Sequence, residues 1–138
     1  DRGCQVLDDP ELTQKMYVIT KDLTAQIYKV AFDGHSLANE CDRGVVNVHR
    51  VWWVQAETVI GFLNGYKKEP EKTEYLEAAE KEWAFIRDHV IDKRPGSEWF
   101  WEVDPEGNPY PDRPIVEPWK CPYHNGRMCM EVLQRIPE

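Results

Sequence analysis

Two neighbouring segments carry opposite burial patterns, and that contrast constrains the fold more than any other feature. Over residues 50–67 (RVWWVQAETVIGFLNGYK), Trp52, Ala56, Val59, Ile60 and Leu63 recur at the spacing of one helical face. Trp53, Val54, Gly61 and Phe62 spread apolar surface around the rest of the cylinder, the mark of an inner, buried helix. Over residues 71–92 (EKTEYLEAAEKEWAFIRDHVID), Tyr75, Ala79, Trp83, Ile86 and Val90 form a single stripe and charge covers the remainder. That is an outer helix with a solvated back. Its acidic residues gather near the start and its basic residues near the end, as the helix macrodipole favours. The short connection at 68–70 joins the two as an antiparallel αα-hairpin. Gly61 and Gly65 weaken the inner helix, so they predict close packing of another element or a fraying end.

The flanking segments extend this rhythm. Leu12, Met16, Ile19, Leu23, Ile27 and Val30 predict an amphipathic helix over 11–32, with Asp8 or Asp9 as its cap and Gly34 as its stop. Residues 35–48 have no helical period and read as a loop with a short strand at 44–48. In 98–118, Trp99, Trp101 and Val103 alternate with polar or outward positions, and the prolines that follow forbid a helix. This predicts a strand or β-hairpin running into an extended loop. A last helix is expected over 122–136, with Pro122 in its first turn and Met128, Cys129, Val132, Leu133 and Ile136 on its apolar face. The expected fold class is therefore all-α, built from helix pairs with a short hairpin or loop near 98–118, in one segment spanning 1–138.

Composition narrows the function. The 138 residues carry 17 Lys plus Arg against 25 Asp plus Glu, a net charge of −8, which argues against a nucleic-acid partner because phosphate binding needs clustered positive charge. No apolar run approaches the ~18 residues of a membrane span. The four cysteines are too few and too irregular for a disulfide scaffold. No signal-peptide pattern opens the chain, so a cytoplasmic location is expected. The first residue is Asp1 rather than methionine, which suggests a cut or processed start. Against this acidic background, 12% of the residues are aromatic, and their positions matter.

Three clusters can carry chemistry. In R-V-W-W-V-Q-A-E at 50–57, Trp53 and Glu57 lie one turn apart on a helix, an indole beside a carboxylate. That pair suits a sugar, the indole covering its C–H face and the carboxylate taking its hydroxyls. The plainer alternative is that both tryptophans are core and Glu57 is solvated. In W-K-C-P-Y-H-N-G-R at 119–127, His124 opens the last helix, where the dipole favours the neutral ring that a general base needs. Arg127, one turn on, suits an anionic oxygen; the alternative is a helix-terminal histidine with no role. A metal centre from Cys121, His124 and Cys129 lacks a fourth ligand in a standard spacing. The third cluster, Glu98-Trp99-Phe100-Trp101, either closes over a ligand or caps the helix layer. His49 abuts the tryptophans and is more interesting than His35 or His89, whereas Glu40, Asp42 and Arg43 are either a site rim or a solvated run.

These residues bring a resemblance into view. R-V-W-W-V-Q-A-E at 50–57 with G-F-L-N at 61–64, E-W-F-W at 98–101 and W-K-C-P-Y-H-N-G-R-M at 119–128 resemble the C-terminal part of the N-acylglucosamine 2-epimerase family, nearest its cellobiose 2-epimerase branch. The resemblance implies an (α/α)6 toroid of twelve helices, of which about four are present here. It implies epimerisation at C2 of a reducing-end sugar without a cofactor, through a cis-enediolate. On that resemblance His124 is a proton-transfer histidine. Trp53 and Trp119 pack on the sugar with Trp52 beside them, and Glu57 and Arg127 bind hydroxyls or orient His124. The substrate, whether cellobiose, mannobiose or an N-acylated hexosamine, stays open.

The family's partner histidine has no counterpart in these residues, so the chain is expected to be an inactive fragment, prone to self-association through its cut faces. The alternatives are a carbohydrate-binding or interaction module without chemistry and, further behind, a glycosidase fragment using Glu57 and Glu98.

Overall fold

The computed structural model describes residues 2–135, with nothing said of the side chains of Arg2 and Gln5. Ile136, expected on the apolar face of the last helix, lies outside the described residues. A short helix α1 (Arg2–Leu7), absent from the sequence reading, leads into α2 (Pro10–Val30). Asp9 caps α2 by accepting the Leu12 N–H at 2.9 Å. Two hairpin strands follow, β1 (Glu40–Asp42) and β2 (Val45–Asn47), then β3 (Arg50–Val51), which runs straight into α3 (Trp52–Lys68). α4 (Thr73–Phe85) continues as a π-helical turn (Ile86–Val90); β4 (Glu102–Val103) and α5 (Tyr123–Leu133) complete the chain.

The inner and outer helices are as the patterns predict. In α3, Trp52, Val54, Ala56, Val59, Ile60 and Phe62 are all buried. α4 buries Tyr75 and Ala79, and the π-turn completes the stripe with Ile86 and Val90, both 0% exposed. Widening the last turn gives an Ile91 N–H to Ile86 O bond of 3.0 Å while both side chains stay in the core. Trp83 departs from its stripe at 39% exposure, on the open edge of the layer.

An aromatic cluster locks α2 onto this hairpin. Tyr28 meets Phe62 and Tyr75 edge-on at 6.0 and 5.6 Å, and Phe32 meets Phe62 at 5.2 Å. Gly65 marks a close approach of α2: a Cβ on it would lie 2.6 Å from Thr24 Cγ2. Gly61 has no such neighbour, so only one of the two marks a close approach. α2 itself buries no residue, and Ile19, Leu23 and Val30 of its predicted stripe are 47%, 54% and 74% exposed. No element among the described residues covers that side. α5 is similar, with Met128 buried but Leu133 74% exposed. Between α3, α4 and α5 runs an apolar groove of about 520 Å³ walled by Leu63, Leu76, Trp83, Met128, Val132 and Leu133.

Within 98–118 the expected strand forms as β4, and an antiparallel bridge between Val103 and Pro109 closes the local turn before the extended loop. β4 also pairs antiparallel with β3, Arg50 opposite Val103 and Val51 opposite Glu102. The reason is the entry to α3, whose Trp52 N–H has no partner within its own first turn and bonds to Trp101 O at 3.0 Å. The turn after β4 docks on the outer layer: a Cβ on Gly107, which has φ +89°, would lie 2.1 Å from His89 Nδ1. The strand expected at 44–48 is present as β2; its partner β1 is three residues of acidic loop with no strand signal.

Candidate functional site

The inner end of α3 and the start of α5 meet, although their chemical groups are far apart in sequence. On α3, Trp53 and Glu57 lie one turn apart; on α5, His124 and Arg127 do the same. Glu57 receives both partners. His124 Nδ1 lies 2.9 Å from Glu57 Oε1, and Arg127 donates to Glu57 Oε2. An ionised carboxylate only accepts, so Nδ1 is the donor in this contact and Nε2 is the ring nitrogen turned away from Glu57. Glu57 also holds the Arg127 guanidinium above its already high range, chiefly through their hydrogen bond, so a fixed cation stands beside the imidazole.

The cluster is open to solvent on one side. His124, Glu57 and Arg127 side chains are each about one-third exposed. Trp53 tilts over the imidazole with ring centroids 5.6 Å apart and is 42% exposed. Tyr123 meets His124 edge-on at 4.9 Å. Trp119 is 84% exposed, held by a turn in which the Lys120 N–H donates to Glu117 O at 3.0 Å. A cavity of about 230 Å³ opens beside Trp53 and Glu57, with Thr24, Asn39 and Gly61 on its wall. Aromatic faces beside charged hydrogen-bonding groups match the two sides of a pyranose.

Trp52 is placed differently from Trp53. It is 4% exposed and packs against Trp101 at 4.7 Å, beneath the site rather than on it. Glu98 is drawn into an ion pair with Lys120. Glu40, Asp42 and Arg43 lie exposed on the β1–β2 hairpin. His35 stacks on Phe85 at 5.2 Å. His49 bonds Glu102 at 3.1 Å and stacks on Tyr110 at 4.6 Å, while Arg113 holds the other Glu102 oxygen at 2.6 Å. Among the described residues no group of three or more His, Cys, Asp or Glu is arranged to hold a metal ion, and Cys121 and Cys129 are exposed free thiols. Sequence reading missed Lys120, Asn125 and Glu102, whose partners sit on other elements; a lysine inside an aromatic, proline-containing motif was the one available signal.

This architecture recurs in solved structures. A sugar epimerase from a ruminal bacterium superposes with a TM-score of 0.94 at 42% identity, covering 99% of this chain and 35% of that one. Cellobiose 2-epimerase from Bacillus thermoamylovorans follows with a TM-score of 0.81 at 38% identity, covering 94% of this chain and 32% of that one. The helix pairs are thus αα-hairpins of an (α/α)6 toroid of the sugar-epimerase class. The N-acylglucosamine 2-epimerase (GlcNAc 2-epimerase) family model matches residues 14–126. The chain belongs to the N-acylglucosamine 2-epimerase family. Cellobiose 2-epimerase of Eubacterium cellulosolvens is 52% identical over 129 residues, 94% of this chain and 31% of the relative. That of Ruminococcus albus is 43% identical over 135 residues, 98% of this chain and 34% of the relative. The chain therefore spans about a third of the length of the curated relatives it matches, and corresponds to their C-terminal portion.

Proposed function

We propose that the chain supplies one proton-transfer group and part of the sugar platform of a cofactor-independent carbohydrate 2-epimerase acting on cellobiose or a related reducing-end aldose. The observation that carries this reading is the single carboxylate of Glu57 shared by His124 and Arg127 under the Trp53 indole. The C1 carbonyl of an opened aldose acidifies the C2 proton. A base removes that proton, a cis-enediolate forms, and a proton returned to the opposite face inverts C2. His124 Nε2 takes or returns the proton on one face, Glu57 fixes the ring, and Arg127 steadies Glu57 and hydroxyl oxygens near it. Trp53 and Trp119 cover the sugar faces, while Trp52 supports them from below.

Inversion needs a second proton-transfer group on the other face, so the 138-residue chain alone is inactive. A chimera tests this reading, in which the chain replaces the matching third of the Eubacterium cellulosolvens enzyme. We expect the chimera to convert cellobiose to glucosyl-mannose, followed by NMR, and His124→Ala to slow it by about 10²–10⁴-fold. An active chimera indifferent to His124→Ala would overturn the assignment, as would C2 inversion by the isolated chain above its own His124→Ala control. The exposed apolar side of α2 and the α3–α4–α5 groove also support self-association of the isolated chain. Light scattering is expected to give a mass above that of the 16.2 kDa monomer, and a monodisperse monomer would refute it.

A further inference from the structure

His124 is held from two directions, and only one of them is Glu57. Lys120, four residues before it, and Asn125, directly after it, both reach a second carboxylate. Lys120 Nζ pairs with Glu98 Oε2, and Asn125 Nδ2 donates to Glu98 Oε1. The Lys120 side chain is 0% exposed, and its ammonium lies 5.5 Å from the centroid of the Trp52 ring. Glu98 in turn is fixed by its backbone to the end of the outer helix: Asp92 N–H donates to Glu98 O at 3.2 Å, and Phe100 N–H to Val90 O at 2.8 Å. An ammonium removed from water this completely persists only when paired, so the Lys120–Glu98 contact is not a loose surface bridge.

We propose that Glu98, Lys120 and Asn125 form a part-buried clamp of positioning residues that seats the 119–125 segment, setting His124 against Glu57 and Trp119 beside it. The clamp touches no sugar. It acts by geometry: both ends of the segment carrying His124 are tied to one carboxylate, which is tied to the outer helix, while Lys120 is seated on Trp52 of the inner helix. The segment cannot slide along α3 without breaking an ion pair whose ammonium is buried. Proton transfer is sensitive to displacements of about 1 Å, so the clamp governs rate even though its members stand back from the reacting atoms. Its catalytic meaning rests on the reading of His124 as a proton-transfer group; its structural meaning does not.

The test therefore has two arms. In the uniformly ¹⁵N-labelled 138-residue chain, the His124 Nδ1–H bonded to Glu57 is expected to give a protected, downfield imidazole resonance. Lys120→Met and Asn125→Ser should each broaden or abolish it while the resonances of Phe62, Ile86 and Val90 stay in place. Asn125→Ser carries this arm if Lys120→Met fails to fold. In the chimera described above, Asn125→Ser is expected to lower kcat by about 10²-fold with KM changed far less. An unchanged His124 resonance in the folded variants overturns the clamp whatever the chimera does. Loss of that resonance with full kcat in an active chimera overturns its role in catalysis. An inactive chimera with the resonance lost in both variants upholds the clamp and counts against the proposed function instead.

Discussion

Arg50→Met is expected to lower the stability of the chain by about 1–3 kcal/mol, the scale for leaving buried or part-buried acceptors without their charged donor. Arg50 is 3% exposed at the junction of β3 and α3. Its Nε donates to Ser36 Oγ at 2.7 Å, one terminal nitrogen donates to Val48 O, and the other pairs with Asp33. One side chain thus ties the 33–36 turn, the end of the β1–β2 hairpin and the start of the inner helix. Burial alone would raise the Asp33 carboxyl. The Ser36 and His35 N–H groups and the Arg50 charge outweigh it and hold the group below the usual carboxylate range. Methionine keeps the stem and removes every donor, leaving Ser36 without its donor and Asp33 without its cation. Urea denaturation measures the loss. A change under about 1 kcal/mol, the scale of an exposed pair, would show that the network contributes little.

The second large effect is a pH dependence centred on Glu82. This residue is 0% exposed, and neither carboxyl oxygen has a hydrogen-bond partner among the described residues. Burial pushes its pKa well above the ordinary glutamate value of 4.5; Arg50 pulls part of the way back, and Asp33 adds to the rise. The folded chain therefore keeps a proton that the unfolded chain releases. Its stability is fully present below the unfolded value and is lost as pH rises toward the folded one, at about 1.4 kcal/mol per pH unit through that window. Glu82→Gln removes this linkage. Thermal melts between pH 5 and 8 should show the parent falling progressively relative to the variant, and parallel curves would show that Glu82 does not titrate in this way. Arg50 and Glu82 face one another electrostatically, so the two substitutions are not expected to be additive.

The helix pairs were legible because each records its surroundings along its own length. Apolar residues all round α3 and a single stripe on α4 say which one is inner, with no knowledge of what packs on them. Trp53, Glu57, His124 and Arg127 were legible as two local motifs, each on one helix turn. That Glu57 joins them was not, because the two motifs lie on separate helices and nothing local sets the α3–α5 crossing. The clamp was hidden for the same reason: Lys120 looks like an ordinary surface lysine until Glu98 arrives from another element. The strand at 102–103 was legible but its pairing with β3 was not, because alternation reports a strand and not its partner. On α2 the stripe was read correctly as apolar, yet its burial depends on an element that the described residues do not include.

The hydrogen bond from His124 to Glu57 spans 67 positions of sequence, whereas the α3–α4 hairpin is closed by a connection of a few residues. Closing a long loop costs more chain entropy than closing a short one, and contacts between distant residues come late in folding. The α3–α4 hairpin is thus the cheapest part of the fold to close, and the contact of the imidazole with its carboxylate is among the costliest. Substitutions in the 117–125 segment should accordingly alter the rate of unfolding more than the rate of folding.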